Sequence, residues 1–304
     1  MTRMIPFEAQ QHLDWLALTD ALAAGHDLPP AKVEDVFLYQ GDNTLLNRSA
    51  WIAGLGGLVK AATIFPGNPA KGKPMVGGAV NLMSDDDGSL QAILDFALVT
   101  KWKTAGDSLL AARRLARPDS RNILIVGAGT VGHSLLAAYG AAFPDAKFTV
   151  WNRSPAGAET FAAQNPGVQV ASDLETAVRA ADIVTSATMS TVPIIMGDWL
   201  QPGQHIDLIG AYRPDMREAD DTAIRRARVF VDNRHTTMEH IGELKAPLAA
   251  GVIAPEHVIA DYYDLPSFQR HTPDEITLFK NGGGAHLDLM TADYILRAVA
   301  DAAD

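Results

Sequence analysis

From residue 122 onward, short apolar runs alternate with longer stretches in which apolar residues recur at helical spacing. The apolar runs are "NILIVGAG", "KFTVWNR", "VQVA", "DIVTSAT", "QHIDLIGA" and "RVFVDN". The segments between them, such as "TVGHSLLAAYGAAF", "PAGAETFAAQN" and "DLETAVRAA", fit helices. Regular alternation of strand and helix is typical of a parallel sheet with helices on both faces. The pattern therefore predicts an α/β fold with a doubly wound parallel sheet.

The first 120 residues follow a different pattern. A helix is predicted around residues 7–24, and the strand-like runs "DVFLYQG", "GGLVKAATIF", "GGAVNLMS" and "LQAILDF" follow it. Turn-forming stretches such as "PGNPAKGKP" and "SDDDGS" separate these runs, which favours antiparallel β-structure. A long helix, "TKWKTAGDSLLAARRLA", then leads into the parallel sheet, and the tail "DLMTADYILRAVADAA" is again helical.

A glycine-rich turn joins the first predicted strand of the parallel sheet to its helix. Gly127, Gly129 and Gly132 fit the pattern G-x-G-x-x-G. The first glycine permits a tight turn, the second lets the backbone approach a pyrophosphate, and the third allows close packing of helix on strand. The start of the helix, at Thr130 and Val131, presents free N–H groups to the phosphates. The turn therefore predicts a Rossmann-type dinucleotide-binding site.

The end of the second strand favours one form of the cofactor. An NAD site usually has an acidic residue here, which binds the ribose hydroxyls. This chain instead has Asn152, Arg153 and Ser154. A carboxylate would repel a 2′-phosphate, whereas a guanidinium and a hydroxyl bind one. We therefore expect NADPH to be preferred, with NADH as the alternative.

Composition excludes several classes of protein. The 304 residues carry a formal net charge of −11 and contain no cysteine. Disulfides, thiolate nucleophiles and Cys-type zinc sites are therefore ruled out. The acidic balance argues against a broad nucleic-acid surface. No signal-peptide core or membrane-length apolar run is evident, so we expect a cytoplasmic protein with no membrane partner.

The motifs together identify a family. The chain resembles the ornithine cyclodeaminase and mu-crystallin family through "GLVKAATIFPGNP", "DFALVTKWKTAGDSLLAARRLAR", "ILIVGAGTVG", "ADIVTSATMSTVPII", "PGQHIDLIGAYRPDMREAD" and "ITLFKNGGGAHLDL". The resemblance implies a homodimer with a Rossmann domain inserted into an α+β dimerisation and substrate domain. We place that domain at residues 1–117 plus 276–304, and the NAD(P)-binding domain at 118–275. The family acts on 2-amino or 2-imino carboxylates with a nicotinamide cofactor.

Basic residues of the first domain are the candidates for catalysis and substrate binding. Lys60 and Lys103 are the catalytic candidates, and Lys60 is expected to bind the substrate carboxylate or to keep the imine nitrogen protonated. Lys60 matches the family lysine beside the nicotinamide, and an ammonium group in an apolar strand needs a partner unless it reaches solvent from a sheet edge. Lys103 and Lys32 stand where the family has arginines that bind the substrate carboxylate. Arg48 stands where the family is usually apolar, so it either supplies the missing guanidinium or forms a surface ion pair.

The resemblance also places smaller polar residues at the cofactor and in the pocket. Thr104 is expected near the cofactor phosphates or the substrate, and Thr188 and Ser190 near the nicotinamide ribose. Asn281 stands where the family often has a serine near the nicotinamide. His286 is expected to close the substrate pocket, and the nearby Asp288 either acts in catalysis or caps a helix. A third cluster, around "HTTMEHIGE", lacks metal-ligand spacing and is not predicted to bind a metal.

One departure from the family separates two activities. Cyclodeaminases have an aspartate soon after the glycine of "LIGAYRPDMRE", and this chain has Tyr212 there. A phenol is a poor base at neutral pH, whereas reduction of a closed cyclic imine needs no such base. Tyr212 is therefore expected to stack on the substrate ring or hydrogen-bond to it.

We therefore expect NAD(P)H-dependent reduction of a cyclic 2-imino acid. The expected substrate is Δ1-pyrroline-2-carboxylate, which gives L-proline, and Δ1-piperideine-2-carboxylate, which gives L-pipecolate, is a second one. Three alternatives stay open at this stage. They are an ornithine cyclodeaminase, a reductase or dehydrogenase of an open-chain imino or amino acid, and a non-catalytic NADPH-binding protein like the crystallins.

Overall fold

The computed structural model describes residues 2–302, which form two compact units. The first unit runs to Lys103 and resumes at Gly283, and the second comprises Thr104–Gly282. The strands are β1 (Arg3–Ile5), β2 (Lys32–Gln40), β3 (Asn43–Ile52), β4 (Gly56–Ile64), β5 (Val76–Met83), β6 (Leu90–Asp95), β7 (Asn122–Val126), β8 (Lys147–Trp151), β9 (Gln169–Val170), β10 (Ile183–Ser186), β11 (His205–Leu208), β12 (Arg228–Val231), β13 (Val258–Ala260) and β14 (Thr277–Lys280). The α-helices are α1 (Trp15–Gly25), α2 (Phe96–Leu115), α3 (Thr130–Ala142), α4 (Pro155–Gln164), α5 (Leu174–Ala180), α6 (Asp221–Arg226), α7 (Arg234–Met238), α8 (Gly242–Ala249) and α9 (Ala285–Asp301).

The first unit contains a sheet with the strand order β1-β6-β5-β4-β3-β2. Neighbouring strands are antiparallel except that β1 pairs with β6 in parallel. The register places Asp35 of β2, Arg48 of β3 and Lys60 of β4 side by side in one cross-strand row. Because alternate residues of a strand point to the same face, these three side chains share one face of the sheet.

The N-terminal helix starts later than the sequence pattern predicts. Residues Phe7–His12 form a 3-10 turn, Leu13 is extended, and α1 begins at Trp15. The reason is Asp14, whose side chain accepts a hydrogen bond from the Ala17 N–H and so caps the helix at this point. Strand β3 was not among the predicted runs, because polar residues interrupt its apolar pattern.

The second unit confirms the predicted doubly wound α/β sheet. Its strand order is β13-β12-β14-β11-β10-β7-β8-β9, and the pairs between neighbouring strands are parallel. The strand order reverses between β7 and β10, and ligands of such sheets bind beyond the carboxyl ends of the strands at this point. Strands β7 and β10 are buried on both faces, which explains their continuous apolar runs.

The boundaries of the compact units differ from the predicted 117/118 and 275/276. The unit boundary near the start falls at Lys103, inside the continuous helix α2, which the sequence pattern assigns to one domain. Near the end, β14 pairs with β11 and β12 and so belongs to the parallel sheet. None of the helices within residues 2–302 combines the length and the hydropathy that crossing a membrane requires.

Candidate active site

The glycine-rich loop connects β7 to α3. Gly127 has a φ of +112°, and a Cβ there would lie 2.8 Å from the carbonyl oxygen of Ala187. A Cβ at Gly132 would collide with the carbonyl oxygen of Gly127. A Cβ at Gly129 would instead meet no atom within 4 Å, and Gly129 is the exposed N-cap of α3 without a side-chain cap. The loop therefore leaves open space in front of a helix N-terminus, which fits the pyrophosphate of a dinucleotide.

The residues after β8 lie beside this loop, since β7 and β8 are paired. The side chain of Asn152 accepts a hydrogen bond from the Ala128 N–H at 3.2 Å and donates one to the Ser154 carbonyl at 3.0 Å. Asn152 therefore stabilises the glycine loop through a hydrogen bond to its backbone. Arg153 and Ser154 are exposed, and Ser154 occupies the N-cap position of α4 without a capping hydrogen bond from its side chain.

The loop after β10 holds the two residues predicted near the nicotinamide ribose. The backbone N–H and the hydroxyl of Thr188 both donate to Oε1 of Glu218, at 2.7 and 2.8 Å. The hydroxyl of Ser190 donates to the Val192 carbonyl at 2.6 Å. Thr188 is therefore fixed at the carboxyl edge of the sheet, whereas the Ser190 hydroxyl closes a local turn.

Asn281 and Thr104 contact each other within the second unit. Asn281 is buried at the end of β14, and its Nδ2 donates to the Thr104 carbonyl at 3.1 Å and to the Ser108 hydroxyl at 3.0 Å. The Ser108 hydroxyl donates in turn to Asp207 at 3.1 Å. Asn281 therefore fastens the end of β14 to α2.

A buried ion pair lies at the centre of the first unit. Nζ of Lys60 donates to Oδ1 of Asp288 at 2.8 Å, and Asp288 lies in the first turn of α9. Both side chains are buried, and Nζ lies 4.8 Å from the centre of the Phe96 ring. Asp288 is therefore the partner that the apolar setting of Lys60 requires, and it does not serve as the helix cap.

Two further cations surround this pair. Arg48 makes a two-pronged contact with Asp35, with Nη2 2.7 Å from Oδ2 and Nε 3.0 Å from Oδ1. Its Nη1 donates to the Gly283 carbonyl at 2.7 Å and lies 3.9 Å from Oδ2 of Asp288. Nζ of Lys103 donates to the same Gly283 carbonyl at 3.4 Å. We call Lys60, Arg48, Lys103, Asp288 and Asp35 the charge cluster.

Burial and charge act in opposite directions in the charge cluster. Burial lowers the pKa of Lys60, and the adjacent Asp288 opposes this shift. Burial would raise the pKa of Asp288, but the three surrounding cations lower it below its ordinary value. Burial also lowers the pKa of His286 well below its ordinary range, and His286 packs edge-on against His26. His286 is therefore a neutral side chain behind the charge cluster.

The structure does not bring Lys32 to the charge cluster. Lys32 pairs with Trp51 in the regular β2–β3 ladder, three residues from Asp35, and an odd separation puts it on the opposite face of the sheet. It is exposed there, and its predicted contact with the substrate carboxylate stays a prediction. Tyr212 lies in the loop after β11, is 58% exposed, and has its ring 5.8 Å from the guanidinium of Arg213. Its predicted contact with the substrate stays a prediction.

Sequence reasoning missed a second group of buried charges, in the second unit. Lys280 is fully buried and donates from Nζ to the Leu208 carbonyl at 2.9 Å. Burial lowers its pKa, and buried carboxylates oppose that shift; they are Glu218, Glu243, Asp232 and Asp207. A charged residue inside an apolar strand, as in "TLFK", is the same signal that identified Lys60 and was available in the sequence.

The histidine-containing segment after β12 includes His235, His240 and Glu243. Within residues 2–302, no three His, Cys, Asp or Glu side chains lie close enough together to hold a metal ion. His235 pairs with Glu239 on the exposed side of α7, whereas Glu243 is buried and accepts backbone N–H groups.

Known proteins are similar to this chain over most of its length. Residues 52–302 match the ornithine cyclodeaminase/mu-crystallin family. A Δ1-pyrroline-2-carboxylate reductase of Paracoccus denitrificans (strain Pd 1222) is 52% identical over 301 residues, which cover 96% of this chain and 95% of that protein.

Two solved structures share the fold over nearly the whole chain. One is a Δ1-pyrroline-2-carboxylate reductase of Thermococcus litoralis in complex with NADH and L-proline, with a TM-score of 0.89 at 23% identity, covering 99% of this chain and 98% of that one. The other is an archaeal alanine dehydrogenase dimer with bound NAD, with a TM-score of 0.89 at 25% identity, covering 100% and 97%.

Proposed function

The chain belongs to the ornithine cyclodeaminase/mu-crystallin family, and we propose that it is an oxidoreductase that reduces a cyclic 2-imino acid with a nicotinamide cofactor. The proposed substrate is Δ1-pyrroline-2-carboxylate, which gives L-proline. The six-membered Δ1-piperideine-2-carboxylate, which gives L-pipecolate, is a second substrate of the same chemical class. The assignment is supported by the similarity to the Δ1-pyrroline-2-carboxylate reductase of Paracoccus denitrificans, which is 52% identical over nearly the full length of both chains.

The charge cluster is the observation that carries the proposal. It contains three cations and two carboxylates, so one positive charge is left in excess. Arg48 remains partly open, with 25% of its side chain exposed, whereas Lys60 and Lys103 are buried. A monocarboxylate supplies the one negative charge that neutralises such a site. The cluster therefore suits a small acid that carries a single carboxylate.

The residues of the charge cluster have separate tasks in the proposed reaction. Arg48 and Lys103 bind the substrate carboxylate and so fix the orientation of the C=N bond. Lys60 holds a proton at Nζ, and Asp288 keeps that proton in place despite burial. A proton on the imine nitrogen makes the adjacent carbon a better hydride acceptor. A reduced nicotinamide, when bound, would supply the hydride to the imine carbon, so that the C=N bond would become an amine N–H and a new C–H bond.

The loop after β11 argues against cyclodeamination. Ring closure of a diamino acid requires a base that deprotonates the attacking amine. Tyr212 stands at the position where cyclodeaminases of this family have an aspartate, and a phenol is protonated at neutral pH. A substrate that is already a cyclic imine needs no base at this position.

NADPH is the proposed preferred cofactor. The glycine loop offers the open space for the pyrophosphate, and Arg153 and Ser154 stand exposed where a 2′-phosphate would lie. The strand end carries no carboxylate that would repel this phosphate, because residue 152 is an asparagine. The side chain of Asn152 is hydrogen-bonded to the glycine loop.

We also propose that the protein is a homodimer that pairs through the sheet of the first unit. Val36, Leu38, Leu45 and Trp51 share the sheet face opposite the charge cluster, and all four are exposed. Every residue of β2 is exposed, and β2 is the edge strand. An apolar face next to an apolar edge strand is a common dimer interface.

The decisive experiment follows nicotinamide absorbance with purified protein, NADPH or NADH, and a panel of substrates. We expect oxidation of NADPH with the two cyclic imino acids, and none with ornithine or with keto acids plus an amine. Lys60→Ala should reduce kcat/KM at least 100-fold, because a cation that acts on the reacting atoms is lost. The matched control is Lys101→Ala, on the same helix as Lys103 but bonded to Gln10. Ammonia release from ornithine, or unchanged turnover in Lys60→Ala, would contradict the proposal.

A further inference from the structure

A single buried carboxylate ties together the loops after β10 and β11. Oε1 of Glu218 accepts hydrogen bonds from the Ser186 hydroxyl at 2.7 Å and from the backbone and hydroxyl of Thr188. Oε2 accepts from the backbone N–H groups of Gly210 at 2.6 Å and Ala211 at 3.3 Å. Both loops leave the carboxyl edge of the parallel sheet, because β10 and β11 are paired in parallel.

The loop that Glu218 holds lies directly against the glycine-rich loop. The Ala187 N–H donates to the Val126 carbonyl at 2.9 Å, and the Ala187 carbonyl occupies the space that a Cβ at Gly127 would need. On its other side, the carbonyl of Thr188 occupies the space that a Cβ at Gly210 would need. The three loops are therefore in contact, and the carboxylate holds the middle one.

Glu218 is itself held from behind. The carboxylate of Glu243 accepts hydrogen bonds from the Glu218 N–H at 2.7 Å and from the Ala219 N–H at 3.0 Å. Burial raises the pKa of both acids, and Lys280 is the nearby buried cation that favours their charged forms. Such a set of buried hydrogen bonds resists displacement, because each broken bond leaves a polar group without water.

The direction of the hydrogen bonds determines what the loop offers to a ligand. A threonine hydroxyl has one donor proton and two acceptor lone pairs. The proton of Thr188 is given to Glu218, and so is its backbone N–H. The loop therefore presents a hydroxyl oxygen as an acceptor and no backbone donor at this residue. It suits a ligand hydroxyl or amide N–H and does not suit a phosphate oxygen.

From this arrangement we infer that Glu218 is a positioning residue for the reaction: it orients Thr188 so that its hydroxyl oxygen accepts a hydrogen bond from the nicotinamide riboside half of the cofactor. This inference rests on the proposed function, since it assumes that the glycine loop binds the adenosine and pyrophosphate half. The two halves of the cofactor then bind to surfaces of opposite hydrogen-bonding character. One offers donors to phosphate, and the other offers an acceptor to a hydroxyl or amide.

The test compares two ligands by calorimetry on the full-length protein. NADPH carries both halves, whereas adenosine 2′,5′-bisphosphate lacks the nicotinamide riboside. Thr188→Val keeps the shape and removes the acceptor, so the Kd of NADPH should rise about 10-fold while that of the bisphosphate stays unchanged. Thr188→Ser restores the hydroxyl and should recover most of the lost affinity. Thr160→Val, on the exposed side of α4, is the matched control.

Glu218→Gln tests the positioning role directly. An amide cannot accept from both loops, so we expect the Kd of NADPH to rise about 100-fold with little change for the bisphosphate. If Glu218→Gln does not fold, the Thr188 pair still decides the matter. Equal weakening of both ligands, or no effect of Thr188→Val on NADPH, would overturn the inference. Failure of the wild-type protein to bind either ligand would instead refute the proposed function.

Discussion

For a variant that breaks the buried pair between Lys60 and Asp288, we predict that the defects in stability and in activity depend on pH in opposite directions. Asp288→Asn keeps the size of the side chain and leaves an oxygen for the bond to Nζ, but it removes the negative charge. Lys60 is then buried beside Arg48 and Lys103 without a counter-charge at 2.8 Å. Removing one partner of a buried ion pair costs about 3–5 kcal/mol. The pKa of Lys60 should fall further, because Asp288 is the group that raises it.

The sign of each effect follows from the protonation of Lys60. A depressed pKa in the folded protein costs stability below the ordinary lysine pKa, so the stability defect of Asp288→Asn should shrink as the pH rises toward that value. The proposed mechanism needs the proton on Nζ, so it predicts that the defect in kcat/KM shrinks as the pH falls. Urea unfolding and nicotinamide absorbance, both measured across pH, give the two profiles.

The control for this prediction is Asp293→Asn, on the same helix. Asp293 pairs with Arg297 at 2.7 Å, and 62% of the Arg297 side chain is exposed. The Asp293 side chain is only 17% exposed, but its partner lies in solvent, so the loss of stability should be about 1 kcal/mol or less and activity should stay near the wild type. If Asp288→Asn loses activity equally at every pH, Asp288 acts through packing, and the account of Lys60 given above is wrong.

Three further predictions address the cofactor, the dimer and acid stability. Arg153→Ala should lower kcat/KM for NADPH about 10- to 100-fold and leave NADH unchanged, with Arg121→Ala as the exposed control; an equal loss with both cofactors would contradict the 2′-phosphate contact. Leu38→Lys should give a monomer in analytical ultracentrifugation, because it places a charge on the apolar face of the proposed interface, where Leu38 is 55% exposed. The control Val170→Lys, in the second unit, should remain a dimer. A dimer of Leu38→Lys would refute the interface. Burial, together with Arg270, lowers the pKa of His205 from 6.5 to about 3. As the pH falls, the unfolded chain therefore takes up a proton before the folded protein does. The free energy of unfolding should then fall by up to about 1.4 kcal/mol for each pH unit between these two values. His205→Gln should flatten that slope in urea unfolding, and an unchanged slope would exclude His205 as its source.

The parallel sheet was predictable because its strands are buried on both faces. Ile123 to Val126 and Ile183 to Val184 are buried in a row, and such continuous apolar runs stand out between helical segments. Strand β3 was not predictable in this way, because Asn47 and Arg48 interrupt it. Their positions make sense only once β3 pairs with β4.

The site was predictable one residue at a time, and its partnerships were not. Lys60 stands out as a charge in an apolar strand, but its partner Asp288 is 228 positions away. Strand periodicity shows that Lys32 and Asp35 face opposite ways only when β2 is known to be regular through both. Glu218 gives no local signal of its role, because three of its five hydrogen-bond donors come from Ser186 and Thr188, about 30 positions away, and the other two come from backbone N–H groups.

The row formed by Asp35, Arg48 and Lys60 makes the proposed catalytic chemistry depend on strand alignment. Sliding β3 by a single residue against β4 would turn the guanidinium away from the ammonium and toward the opposite side of the ribbon. Insertions or deletions in the short turn between β3 and β4, at Gly54, are therefore expected to abolish turnover even where the chain still folds. Lengthening the turn after β4, at Gly67, leaves that alignment intact and should be far better tolerated.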